Sequence, residues 1–157
     1  MFAAHGTLAW PETAHGQLWH AVTLLREYRG DGHVVALVAN ELSGLDALVS
    51  HTASGIGFSV GFARRLRGWT EDEWAEGTDG LRLRGLLDAG GALTMQGAEL
   101  RAQIEDLTDA LAYVPWRGVS DDDAAEVATV AASIRKAVRS AGLFPGVAFG
   151  PRYGEHR

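Results

Sequence analysis

The run Arg29-Gly30-Asp31-Gly32-His33 puts a guanidinium, a carboxylate and an imidazole within five positions. A histidine paired with a carboxylate is what general acid/base chemistry requires, because the carboxylate sets the tautomer of the ring. Asp31 and His33, on either side of one glycine, are therefore the candidate catalytic pair. Arg26 and Arg29 can grip a carboxylate or phosphate in a two-pronged contact. His20, Glu41, His51 and Trp19 lie in or beside the same apolar segments and complete the candidate ligand-binding set, with Trp19 offering a flat aromatic face. Polar groups on apolar helices need partners, and several together can line a pocket. Each also has a structural reading: Asp31 as a helix N-cap, Arg29 as the ion-pair partner of Asp31 or Glu27, and His20 and His33 as core histidines bonded to carbonyls.

Other chemistries find no footing. There is no cysteine, so thiolate catalysis, disulfides and cysteine metal sites are out. His20, His33 and His51 lack the close spacing of a metal site. No phosphate-binding glycine loop, dinucleotide fingerprint or nucleophile elbow is present. No metal or cofactor is implied. His5, His15 and His156 sit in arms and carry no assigned role.

The elements that must position these residues read as helices. Met1 to Gly16 reads as a flexible arm. Leu18, Val22 and Leu25 predict a helix over Gln17 to Tyr28. The glycines at 30 and 32 break it, and Asp31 caps a second helix, His33 to Leu42. Ser43 starts a short helix to about Thr52, with Leu45, Leu48 and Val49 inward. Ser59 to Leu66 is helical, and Gly68-Trp69 turns the chain. Thr70-Glu71-Asp72-Glu73 is a capping box for a helix running to Arg84, where Gly85 stops it. Leu86 to Asp88 and Ala92 to Thr94 pair as two short strands around a glycine tip. A long helix from Thr94 carries Leu100, Ile104, Leu107 and Leu111 until Pro115. Ser120 with three aspartates starts another, burying Val127, Val130, Ile134 and Val138 until Gly142 and Pro145. Trp19, Trp69, Trp74 and Trp116 read mainly as core anchors. The fold class expected is mainly α: a single helical domain over 17–145 containing a winged helix-turn-helix with a small two-stranded wing, followed by a tail over 146–157.

Helix, turn, helix, then Leu83 to Asp88, a glycine tip and Leu93 to Gly97 resembles the MarR-type winged helix. The wider run resembles an actinobacterial helix-turn-helix family through Leu18-Trp19-His20, Leu24 to His33, Gly68-Trp69-Thr70 with Glu73-Trp74, and Arg84 to Asp88. That resemblance covers about Trp10 to Pro145. It implies longer members with an extra N-terminal helical half, so this chain resembles their C-terminal portion. Fold alone does not assign function.

The helix that would read DNA offers Glu71, Asp72, Glu73, Glu76 and Asp79 before any arginine, and the wing tip has no cation. Carboxylates facing a phosphate backbone are repelled. Arg64, Arg65, Arg67, Arg82 and Arg84 read either as a solvated face offsetting these acids or as an anion patch. A net charge of -6 acts in the same direction at long range. With 157 residues, 46% hydrophobic, the chain suits one soluble domain. Met1 to Trp10 does not read as a signal peptide and no stretch reaches membrane-span length, so the expected location is the cytoplasm, with no membrane partner. Arginine outnumbering a single lysine, Lys136, amid much alanine and glycine suggests a GC-rich, actinobacterial source. The leading expectation is a domain binding a small, anionic molecule, or an acid/base enzyme of specialised metabolism, at a pocket between the N-terminal helices and the winged helix. The alternatives are a MarR-like ligand-responsive regulator, dimeric through the helices Met95 to Tyr113 and Asp121 to Ala141, and a protein-interaction module.

Overall fold

The computed structural model describes residues Met1–Gly142, Gly146–Tyr153 and Glu155. Pro145 and His156 lie outside them. In chain order the helices are α1 (Phe2–Gly6), α2 (Ala14–Ala39), α3 (Gly44–Ala53), α4 (Val60–Arg67), α5 (Glu71–Leu83), α6 (Met95–Ala112) and α7 (Asp121–Ser140). Short 3₁₀ turns occupy Val114–Trp116 and Gly146–Ala148. The chain divides into two compact units, Met1–Gly44 with Glu99–Arg117 and Leu45–Ala98 with Gly118–Arg157, where the sequence suggested one domain over 17–145.

In the first unit the expected break at residues 29–33 does not occur. α2 is one continuous helix of 26 residues. An interior glycine costs about 1 kcal/mol relative to alanine, too little to divide so long a helix. Gly32 has a packing reason to be there: a Cβ at that position would stand 3.1 Å from Leu111 Cβ, so its absence lets α6 approach. Asp31 therefore starts no second helix. It accepts instead from the Met1 amino group at 2.9 Å and the Phe2 amide at 3.0 Å. The segment read as an irregular arm accordingly holds α1, with the Phe2 ring set edge-on to Tyr28 at 5.1 Å.

α2 ends in a Schellman arrangement. Leu42 N–H donates to Leu37 O and Glu41 N–H to Val38 O, while Glu41 adopts φ 55°. Leu37 and Leu42 are both buried, as this motif favours. A left-handed conformation costs an L-residue roughly 1 kcal/mol or more that glycine avoids. Glycine at position 41 would relieve that strain but lose the contact the Glu41 side chain makes, so Glu41→Gly is expected to change stability by less than about 1 kcal/mol in a urea melt.

In the second unit α3 meets α5 at Gly77, where a Cβ would fall 2.9 Å from Leu45 Cγ. α4 stops at Gly68, which is left-handed at φ 75°, and Trp69 and Thr70 lead into α5. The capping box forms in full: Thr70 Oγ1 accepts from Glu73 N–H, and Glu73 Oε2 accepts from Thr70 N–H at 2.9 Å. Ala63, Trp74 and Leu81 are buried. Of the four tryptophans read as core anchors Trp74 alone is buried, while Trp19 is 76% exposed.

The two-stranded wing is not formed. Leu87 and Leu93 make a single antiparallel bridge, and no strand is present among the described residues. A ladder would have Ala92 N–H donate to the Asp88 carbonyl. It donates to Asp88 Oδ1 instead, at 2.9 Å, while that carbonyl accepts from Gly91 N–H and Arg82 Nε. The side chain has taken the place of a backbone acceptor, and pairing ends after one step.

Further along, Ser120 Oγ accepts from Asp123 N–H and starts α7 as the sequence suggested. The stripe expected to be buried on α7 is not: no residue of α7 is buried. On α6 the apolar stripe is likewise partial, with Ile104 buried but Leu107 and Leu111 exposed. The segment after Gly146 packs back on residues 54–59. Gly150 N–H donates to Gly57 O and Arg152 N–H to Gly55 O, and Phe149 stacks between Phe58 and Tyr153. No single helix among the described residues is long and apolar enough to cross a membrane.

Candidate functional site

One continuous α2 places Arg29 and His33 a single turn apart on the same face. α6 answers with Arg101, Glu105 and Thr108 at helical spacing, followed by Asp109. Each oxygen of Glu105 takes a different arginine: Oε2 accepts from Arg29 Nη2 at 2.8 Å, and Oε1 from Arg101 Nη2 at 2.9 Å. Arg29 Nη2 also donates to Asp109 Oδ1 at 3.2 Å. His33 Nδ1 lies 2.9 Å from Thr108 Oγ1. All six residues belong to the first unit.

The hydroxyl decides the tautomer of the ring. Thr108 has one O–H, and it donates to the Ile104 carbonyl at 2.7 Å. Toward His33 the Thr108 oxygen can only accept, so Nδ1 carries the proton and the neutral ring keeps its lone pair on Nε2. Burial pushes the His33 pKa down; Glu105 opposes this, and Arg101 and Arg29 reinforce it. The ring is therefore neutral at pH 7, with Nε2 able to accept a proton or a hydrogen bond. For Arg29 burial alone would lower the pKa, but the bonds to Glu105 and Asp109 outweigh it and hold the guanidinium charged.

Two groups in this cluster are unspent. Among the described residues, His33 Nε2 and the Nε and Nη1 donors of Arg29 have no protein partner. A base and a cation with free single N–H donors one turn apart can hold a ligand with an acidic proton and an anionic group.

The remaining candidates stand elsewhere. Asp31 and His33 are two positions apart on one helix, so their side chains diverge and do not form the expected dyad. Thr108 orients the ring instead. Arg26 is exposed and pairs with Glu27. His20 is buried with its ring edge-on to Trp10 at 4.8 Å. Trp19 faces solvent, and Glu41 occupies the left-handed end of α2. His51 belongs to the second unit, its ring lying over Gly57, where a Cβ would come within 2.2 Å of Nε2. Sequence reading missed Arg101, Glu105, Thr108 and Asp109. The available signal was an arginine, a glutamate and a threonine at i, i+4 and i+7 beside the Ile104 stripe. Among the described residues no group of three or more His, Cys, Asp or Glu stands together as a metal centre needs.

The second unit holds the pair of helices that could read DNA. α4 and α5 flank a three-residue turn at Gly68-Trp69-Thr70. A model of the Helix-turn-helix family matches residues 1–145. The chain belongs to that Helix-turn-helix family. No curated protein and no solved structure matches it. In this helix-turn-helix protein the first turn of α5 exposes Glu71, Asp72 and Glu73. The bond from Arg64 holds the Glu71 carboxyl below its ordinary range, and the Thr70 backbone and hydroxyl do the same for Glu73. Both are charged at neutral pH. Arg64 Nη2 is engaged by Glu71 at 2.7 Å, while its buried Nε has no partner among the described residues. Arg82 is spent on Asp79 at 2.8 Å and on the Asp88 and Ala89 carbonyls.

Proposed function

We propose that this helix-turn-helix protein is a small-molecule-binding domain whose helix-turn-helix serves as scaffold. The ligand engages the α2–α6 cluster through His33 Nε2 and the free donors of Arg29. The observation that supports this most is the contact of His33 Nδ1 with a Thr108 hydroxyl that already donates to the Ile104 carbonyl, which leaves Nε2 open one turn from unspent guanidinium N–H donors. A ligand bearing a carboxylate on Arg29 and an acidic proton near Nε2 would make His33 a general base, the form this reading takes if the domain is an enzyme. Asp31 has no part in it.

Benzoate and inorganic phosphate are suitable anionic probes. The expected result is a shift of the His33 ring nitrogens and the Arg29 Nε resonance on titration, with His33→Ala and Arg29→Met each weakening the stronger probe about tenfold or more. Nitrogen spectra of the free protein should show His33 protonated on Nδ1. Probes that leave both residues unmoved would sink the reading.

Family membership favours a second reading, a DNA-binding regulator, of which a MarR-like ligand-responsive form is the version the sequence suggested. The carboxylates on α5 and the engagement of Arg64 and Arg82 argue against direct base reading. A mobility-shift series at low salt over genomic fragments is expected to give no sequence-specific retardation, and specific retardation at submicromolar protein would install the regulator in its place.

A further inference from the structure

α7 is amphipathic along its length yet has no buried residue. Val127, Val130 and Ile134 are 54%, 48% and 44% exposed. A helix of this length without packing is marginal in water, so its apolar stripe needs a cover. The charges on α7 are divided by end. Asp121, Asp122, Asp123 and Glu126 fill the first turns, and Arg135, Lys136 and Arg139 the last. Each end of the helix is thus the electrostatic complement of the other. The outermost charges, at 121 and 139, have their midpoint at Val130. The apolar positions Ala124, Val127, Ala131, Ile134 and Val138 are arranged about nearly the same point.

We propose that α7 pairs antiparallel with α7 of a second copy of this chain, about a two-fold axis close to Val130 and Ala131. That orientation sets each acidic end beside a basic one and aligns the helix dipoles favourably. A parallel pair would set acid against acid and base against base. A two-fold pair is self-complementary, so one stripe covers the other with no third element. This inference goes beyond the ligand reading and does not depend on it.

The absence of cysteine makes the test clean, since one introduced thiol can only bridge to another chain. The full chain is expected to sediment as a dimer at micromolar concentration. Under mild oxidation Ala131→Cys gives a covalent dimer, whereas Ala124→Cys and Val138→Cys alone do not. Mixing those two variants restores the bridge, because 124 and 138 lie at equal distances from 131. Ile134→Asp is expected to weaken the dimer about tenfold or more, through loss of one buried aliphatic side chain per copy. Circular dichroism of that variant, and the milder Ile134→Ser, separate weakened pairing from misfolding. Strong self-bridging at 124 and 138 would mean a parallel pair and overturn the orientation. A monomer at every concentration, or a dimer indifferent to both Ile134 variants, would overturn the proposal.

Discussion

Gly97→Ala is expected to lose about 3 kcal/mol or more of stability, while Gly30→Ala gains about 1 kcal/mol. Both glycines are helical, and on propensity alone both changes would stabilise. Space decides the sign. A Cβ on Gly97 would lie 2.1 Å from the Leu86 carbonyl oxygen, a backbone atom that cannot swing away like a side chain. A Cβ on Gly30 meets nothing within 4 Å. Gly97 sits in the first turn of α6, where its N–H donates to Thr94 Oγ1, and Leu86 O accepts from Thr94 N–H. Relieving the clash therefore strains the start of α6 and the Leu87–Leu93 bridge together. Urea titration of both variants measures the pair. A stable Gly97→Ala protein would show that α6 does not start so close to Leu86.

The second large effect is expected at Glu105. Its carboxylate is buried and receives both Arg29 and Arg101. Removing one partner of a buried ion cluster costs roughly 3–5 kcal/mol, because the remaining charges stay desolvated. Arg29 is partly exposed and solvent screens its share, so the lower end applies: Glu105→Ala should cost about 3 kcal/mol. The same variant should lower the His33 pKa further, since Glu105 is the group that raises it. Arg101→Met should move it the other way. Histidine proton resonances followed against pH read both shifts directly. The sign for stability follows from the native ring binding protons less readily than the unfolded one. Above the unfolded value of 6.5 both forms are neutral and the contribution is fully present. As pH falls from there through the lower folded value, the unfolded chain gains a proton first and stability drops. Thr108→Val should remove the tautomer preference with little change in helix content.

The parts legible from sequence are those whose signals are local. The Thr70 box and the Ser120 start lie within four residues of the amides they satisfy, and both form. The glycines at 30 and 32 were also local signals, but they misled. Their cost is small, and what fixes Gly32 is the proximity of Leu111 on another helix. Reading a break there produced the Asp31–His33 dyad, since only a turn would let those side chains meet. Arg29 and His33 read as polar groups in need of partners, and both have them on α6. The partners themselves, Glu105 and Thr108, lie 76 and 75 positions away, beyond any pattern of neighbours. The wing failed for a chemical reason, because Asp88 could supply an acceptor that alternation of apolar residues does not reveal. On α7 the spacing marks an apolar stripe, but the burial read from it is absent, because periodicity names no partner.

The tip after Leu87 has a practical consequence. Surface loops of small residues such as Ala89-Gly90-Gly91 are where proteases usually enter, because the chain must open and thread into a narrow cleft. Here Arg82 Nε and Nη2 hold the Asp88 and Ala89 carbonyls, and the Asp88 carboxylate holds the Ala92 amide. Threading the tip would break these bonds at once, so a broad-specificity protease should leave it whole in the native protein. Substituting Arg82 by lysine, which keeps the charge but loses the fork, should open that bond to cleavage.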